Sequence, residues 1–502
     1  MRILTTIVTV VALLALPVPA AAAPATVRTD TGRIAGTVRG DHRIFQGIPY
    51  AAAPVGELRW RSPQPVEPWT GIRDATQPGG RCAQTADSWG LPASDSEDCL
   101  YLNVTAPRGV SPRRPKPVLV WLHGGSLMKG AGSDYDATRL ATRGDVVVVT
   151  VNYRLGIFGF FGHPGLSNGG AFGVEDQQAA LRWVRRNASA FGGDPGNVTL
   201  AGESAGSHSV CAQLASPAAA GLFHRAITQS SPCWSPDDLP KLMNVPLWLP
   251  ASAHQGHGQF IADQVSCPDV SCLRGRPVSE LLAQPALPLP GYGNAVLPED
   301  PAKVFAEGRF HRVPILSGIT RDEGTMFAAL LYPKLTVAQY VDGVTQIFGD
   351  RAPAVLAAYP PGDRPTQRAA AMMSDLEWAR PARDTDNLLA RHVPVYSYEF
   401  LDRTAPPLFP YPDDEVRPLA SHGSELPFLF DPSWESAPLT DRQRGLGDLM
   451  IGYWARFAAT GNPNGHGLPA WRHHPYVQGL DLDRVGRFDR AAAHQLTFWD
   501  GI

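Results

Sequence analysis

Asn197-Val198-Thr199-Leu200-Ala201-Gly202-Glu203-Ser204-Ala205-Gly206, running on without proline to Ala215, decides the fold. A short apolar run of strand character enters a G-x-S-x-G turn, and a helix-like run leaves it. Strand, tight turn and helix in that order lift a serine side chain above a sheet edge and aim a helix N-terminus at any negative charge that develops there. The pattern occurs again as Gly165-Leu166-Ser167-Asn168-Gly169. With 49 glycines in 502 residues, a chance match carries little weight. Ser167 is approached through Gly162 and Pro164 and left through Gly169 and Gly170, which suit neither strand nor helix, so it reads as a loop residue. Ser204 is the candidate nucleophile.

Working outward, Val118 to Leu122 and Val146 to Val151 are further apolar runs that read as strands buried on both faces. Val174 to Arg186, with Val174, Leu181 and Val184 at helical spacing, precedes the third strand as a parallel crossover requires. Val313 to Ile319 and Val393 to Phe400 continue the series. Strands alternating with helices over several hundred residues predict a doubly wound, mostly parallel α/β sheet. Pro and Gly cluster between about Ser231 and Pro301 and between Arg403 and Pro412, which reads as long insertions shaping a gorge.

The net charge of -3 and the lack of a long basic run argue against a nucleic-acid partner. Arg2, the apolar stretch Ile3 to Leu16 and the small residues Ala20 to Ala23 match a secretory signal over residues 1–22, cleaved near Ala22. The stretch is shorter than the roughly 20 residues a spanning helix needs, and no later segment is long and apolar enough to form a stable membrane span. Six cysteines in an exported chain suggest disulfides, in any of 15 pairings. Cys82 and Cys99 flank a polar loop, and Cys267 and Cys272 a tight one. Cys211, in the helix-like run, and Cys233, after Pro232, read as free thiols. The Cys and His spacings of zinc sites are absent.

A serine hydroxyl needs a base to take its proton and an acid to orient that base. With the order Ser, acid, His usual for α/β-hydrolases, the base is one of His311, His392, His422, His466, His473, His474 and His494. His422, in the small-residue loop Ala420-Ser421-His422-Gly423-Ser424, is the best placed. Asp322-Glu323-Gly324 at the end of the Val313 to Ile319 strand offers two acids, which context leaves equal. His123-Gly124-Gly125-Ser126 follows the first strand. Its backbone N–H groups, with that of Ala205, suit an oxyanion hole.

Together these segments resemble the type-B carboxylesterase and cholinesterase family of α/β-hydrolases. The likeness spans nearly the whole mature chain. It rests, in order, on Phe45-Gln46-Gly47-Ile48-Pro49-Tyr50-Ala51, Ser96-Glu97-Asp98-Cys99-Leu100-Tyr101-Leu102-Asn103-Val104, the H-G-G turn, Asn152-Tyr153-Arg154-Leu155-Gly156, the Ser204 turn and His422-Gly423-Ser424-Glu425-Leu426. The resemblance implies one α/β-hydrolase domain over residues 23–502, with Ser204 as nucleophile, Glu323 rather than Asp322 as the acid, His422 as general base, and Glu203 and Ser230 beside them. It also implies the disulfides Cys82–Cys99 and Cys267–Cys272 and an ion pair between Arg154 and Asp176. The implied activity is hydrolysis of small-molecule carboxylic esters through an acyl-enzyme, with neither metal nor organic cofactor. Lipase and choline-ester hydrolase activity are the alternatives within enzymes, and a non-catalytic ligand-binding homologue is the alternative of another class. Two positions stand out. Ser126 replaces a glycine usual in the family, at a place where serine tolerates positive φ poorly. Trp89 stands where choline-ester hydrolases carry a cation-binding tryptophan, although packing at the gorge wall is the plainer reading.

Overall fold

A computed structural model describes residues 25–502 apart from 87–89, 111–112, 236–241, 244–245, 410, 412–415 and 433–436. The signal segment and Trp89 thus lie outside the described residues. Among the described residues thirteen strands form the main sheet: β1 (Ala25–Arg28), β2 (Arg33–Arg39), β3 (His42–Pro49), β4 (Ile72–Asp74), β5 (Tyr101–Pro107), β6 (Lys116–Leu122), β7 (Val147–Val151), β8 (Gly193–Glu203), β9 (Arg225–Gln229), β10 (Ile315–Thr320), β11 (Val395–Phe400), β12 (Val477–Leu480) and β13 (Gly486–Phe488). Their spatial order is β1-β2-β3-β5-β7-β6-β8-β9-β10-β11-β12-β13, with β4 paired to β2. The seven strands from β7 to β12 in that order are mutually parallel, as predicted. Antiparallel strands extend the sheet at both ends.

The apolar runs become central strands because both faces are covered. Val118, Val120 and Leu122 point into one core with Leu181, Val184 and Val210, while Leu119 and Trp121 point into the other with Ile451, Trp454 and Phe457. This alternation follows the two-residue period of a strand. The first core lies under α1 (Phe172–Asn187) and α2 (Ala205–Ala215). The Arg154 guanidinium, buried, makes a two-point ion pair with Asp176 on α1, Nε–Oδ2 2.7 Å and a terminal nitrogen to Oδ1 2.7 Å. The cluster of Pro and Gly after Ser231 includes a 14-residue helix, α3 (Ala251–Gln264). Its Gly258 rests against the carbonyl of Gly162, where a Cβ could not fit. Further on lie α4 (Gly324–Leu331) and α5 (Asp441–Thr460). Thr440 and Gln443 cap α5 reciprocally, and Gly461 ends it at φ 75°. Among the described residues no helix is long and apolar enough to cross a membrane.

All six cysteines are paired. Cys82–Cys99 and Cys267–Cys272 are bridged, and so are Cys211 and Cys233, which corrects the reading of that pair as free thiols. The two lie 22 residues apart on elements that look unrelated in sequence. The parallel crossover from α2 through β9 brings the chain back past α2, setting Cys233 against Cys211. A second feature that sequence context undervalued is His494. It is buried, with Nδ1 2.5 Å from Asp375 and Nε2 2.7 Å from Glu399, while Arg490 also pairs with Glu399. Burial opposes the imidazolium, but Glu399 and Asp375 outweigh it and raise His494 to about 9.

Denatured without reductant, the protein should show no thiol to a chromogenic disulfide reagent. The double variant Cys211→Ala/Cys233→Ala should lose about 3 kcal/mol of stability, the chain-entropy value for such a loop, measured by denaturant unfolding. For His494, a folded pKa raised above the ordinary 6.5 means stabilisation that is complete below 6.5 and lost as pH rises through 9. His494 should therefore account for on the order of 3 kcal/mol of the stability lost across that window, and His494→Gln should reduce the loss by about that much.

Candidate active site

β8 ends at Glu203, and the chain turns into α2 through Ser204, whose backbone has φ 55° and ψ -123°. A β-carbon is strained there. The turn is held by the Ser204 N–H donating to the Gln229 carbonyl at 2.8 Å and by the His208 N–H donating to the Ser204 carbonyl at 2.9 Å. The two glycines of the pentapeptide make this crossing sterically possible. A Cβ on Gly202 would lie 2.5 Å from the Gly206 carbonyl carbon, and one on Gly206 would strike the Leu122 carbonyl oxygen. Ser167, by contrast, lies exposed in a turn.

β10 delivers Asp322 and Glu323 beyond its carboxyl end, and the two acids part company. Glu323 is fully buried. Its Oε2 lies 2.5 Å from His422 Nδ1 and its Oε1 accepts the Thr320 N–H at 2.8 Å. Asp322 turns outward into a two-point pair with Arg403, at 2.8 and 2.7 Å. Its backbone N–H donates to the Ala420 carbonyl at 2.8 Å, which ties the loop of Asp322 and Glu323 to the loop carrying His422. The His422 ring is buried edge-on to Phe327, with centroids 5.0 Å apart. Its Nε2 makes no aligned hydrogen bond among the described residues, although Glu203 Oε1 lies 3.2 Å away.

Three buried carboxylates surround this imidazole, more than one ring can neutralise. Burial disfavours the charged ring, but Glu203 and Glu323 outweigh it and raise His422 to about 9. Burial likewise pushes the carboxyl groups of Glu203 and Glu425 above their ordinary range. Glu203 and His422 thus compete for a proton, and a proton resting on Glu203 leaves His422 neutral and able to accept another. Glu425 is oriented by Gln229, whose amide donates to it at 3.0 Å and whose oxygen accepts the Trp454 indole N–H at 2.9 Å. Neither Gln229 nor Glu425 was singled out by sequence reasoning. Their only local signal is position, Gln229 at the end of a strand and Glu425 three residues after His422.

The turn after β6 lies against Ser204. A Cβ on Gly124 would come within 2.7 Å of Glu203 Oε2 and 3.2 Å of Ser204 Cβ, so only glycine lets the turn approach so closely. Below it His123 stacks on Tyr153 at 4.4 Å, and the Tyr153 hydroxyl donates to the His123 carbonyl at 2.6 Å. Gly125 has φ 103°, and Ser126 and Leu127 follow at 56° and 57°. Ser126 therefore does take the left-handed conformation that suits glycine better. Ala205 opens α2 on the other side of Ser204.

Two cavities meet at Ser204, Ser126, Phe327 and His422. One, of about 60 Å³, runs past Glu203, Tyr135, Met326 and Phe409. The other, of about 640 Å³, is walled by the insertion after β9, including Pro232, Leu247, Leu249 and Leu289, with Ala205, Ser230 and Trp378. The structure thus gathers Ser204, His422, Glu323, Glu203, Ser230 and the H-G-G turn in one place. Among the described residues no cluster of His, Cys, Asp and Glu is arranged to hold a metal ion.

A carboxylesterase family model matches residues 23–499. The chain is 37% identical to the para-nitrobenzyl esterase of Bacillus subtilis over 91% of its own length and 94% of that protein's. It is 35% identical to the rat pyrethroid hydrolase Ces2e over 94% and 88%, and likewise to the human cocaine esterase over 94% and 90%. A solved thermophilic PNB esterase superposes with a TM-score of 0.76 at 33% identity, covering 94% of this chain and 99% of the other.

In Glu203→Gln the imidazole loses one of the three carboxylates that favour its charge. His422 should then titrate lower, by on the order of one pH unit, read from the pH dependence of the low-field Nδ1–H proton resonance. An unchanged titration would place the governing charge on Glu323 and Glu425.

Proposed function

This chain belongs to the carboxylesterase family of carboxylic-ester hydrolases, and from that premise we propose that it cleaves esters through an acyl-enzyme on Ser204. The observation that carries the proposal is the buried Glu323–His422 contact of 2.5 Å behind a strained serine that shares its cavity with His422. His422 Nε2 takes the proton as Ser204 Oγ attacks the ester carbonyl carbon. Glu323 holds the Nδ1 proton and stabilises the imidazolium. The N–H groups of Gly124, Gly125, Ser126 and Ala205 supply the donors for the carbonyl oxygen as it becomes an oxyanion. Collapse expels the alcohol with the proton from His422. Water, activated by the same imidazole, then releases the acid.

The relatives are named pyrethroid hydrolase, cocaine esterase and para-nitrobenzyl esterase, and from those names we infer for this chain an ester with one bulky group. The larger, mostly apolar cavity suits such a group, while the smaller one takes a compact one. Export of a single hydrolase domain after removal of residues 1–22 accords with the signal-like N-terminus and with three disulfides, which persist in oxidising compartments.

Assayed on 4-nitrophenyl acetate, Ser204→Ala should lose at least about 10⁴-fold in kcat. Glu323→Ala should lose about 10²-fold or more, because the base loses its orienting partner, and Asp322→Asn less than about tenfold. Equal losses at 322 and 323 would refute the assignment of the acid.

A further inference from the structure

The large cavity carries a polar feature that the chemistry at Ser204 does not use. His208 lies one helical turn beyond the nucleophile on α2, its N–H bonded to the Ser204 carbonyl, so its position is tied to the reacting atoms. His208 is among the residues that line the cavity and is 7% exposed. Its ring meets Trp248 edge-on at 4.3 Å, and its Nε2 has no hydrogen-bond partner among the described residues. Ser230 lines the same cavity, 2% exposed, and its Oγ is likewise unpartnered. Ser230 is held firmly, at φ 59°, with its N–H donating to the Gly318 carbonyl at 2.8 Å and its carbonyl accepting the Trp378 indole N–H at 3.3 Å. The rest of the lining is dominated by leucine, proline and aromatic carbon. A few fixed polar atoms in an apolar wall are how a pocket selects a substituted ligand over a plain one.

Burial lowers His208 to about 4, so the ring is neutral at ordinary pH, and the Leu247 backbone carbonyl favours a proton on it. With Nε2 unpartnered, that proton is assigned to Nδ1, and Nε2 presents a lone pair. A lone pair recognises a donor.

We propose that His208, with Ser230 beside it, is a specificity-determining residue, and that the ester portion lodged in the large cavity is an apolar group bearing a hydroxyl or N–H rather than a bare hydrocarbon. The proposal rests on the acyl-enzyme reading above and names the substrate class for it. A hydroxyl paired with Nε2 exchanges its water for a fixed partner, whereas a hydrocarbon of equal size leaves the nitrogen unpaired.

The test uses the purified full-length protein and matched ester pairs. One series sets 4-nitrophenyl ω-hydroxyalkanoates against alkanoates with the same number of heavy atoms. The other carries the same pairs on the alcohol side, as acetates. In one series, at one chain length, the hydroxylated ester should be preferred at least tenfold in kcat/KM. His208→Phe should bring that ratio to within twofold of unity, and His208→Gln, which keeps an acceptor, should restore part of it. Ser230→Ala should reduce the ratio and serves where His208→Phe is too unstable to assay. A wild type that cleaves 4-nitrophenyl acetate through Ser204 yet prefers the hydrocarbon in both series overturns the proposal alone, as does a ratio unchanged in His208→Phe and Ser230→Ala. A wild type inert to every ester, or a Ser204→Ala variant that keeps full activity, overturns the acyl-enzyme reading and this proposal with it.

Discussion

A parallel strand can follow its neighbour only after a crossover, so seven parallel strands present all their carboxyl ends along one edge. The site depends on that constraint. β6 ends in the H-G-G turn, β8 in Ser204, β10 in Glu323, and the chain beyond β11 returns with His422. Residues 99 positions apart, such as Glu323 and His422, meet because their strands end on the same edge. Helices packed on both faces hold the sheet, and hence the spacing of the loops that carry Ser204, Glu323 and His422.

Within that frame the local backbone is bent to its task at some cost. Ser204, Ser126 and Ser230 all hold positive φ, in each case where a strand gives way to a turn facing the cavities. Such conformations persist only where neighbours over-determine them. Here the Gln229 and Gly318 carbonyls and the packed glycines at 202 and 206 do so. Electrostatics follow a similar logic. A cluster of buried acids around one imidazole would be unstable if all were ionised, and burial accordingly pushes the carboxyl groups of Glu203 and Glu425 above their ordinary range.

What could be read from sequence follows the range of the determining contacts. The strand, turn and helix around Ser204 are legible because they lie within about twenty residues, and Ser167 has no such setting. The strands β6, β7 and β8 announce themselves because burial on both faces demands unbroken apolar runs. Which of Asp322 and Glu323 faces His422 is not legible from residue context, since Asp322 is drawn outward by Arg403, eighty-one residues away, and only the family resemblance separates the two. The Cys211–Cys233 bridge and the ion cluster at His494 were missed for the same reason. Each is made by segments whose proximity exists only after the sheet has formed. The gorge insertion was recognised by composition, but not its helix α3, because Gly256 and Gly258 look like helix breakers until Gly258 is seen to need its bare Cα against Gly162.

The Cys211–Cys233 bridge bears on how such a scaffold diversifies. Cys233 fastens the start of the insertion to the helix that carries the elbow, and Gly258 seats α3 against the loop before α1. The stretch between these two anchors forms part of the large cavity's wall, yet its ends are fixed independently of it. Lengthening, shortening or exchanging it would leave the anchors in register, so it is suited to transplantation as a cassette. Substrate range could then drift rapidly in descendants while the hydrolytic apparatus stays unaltered.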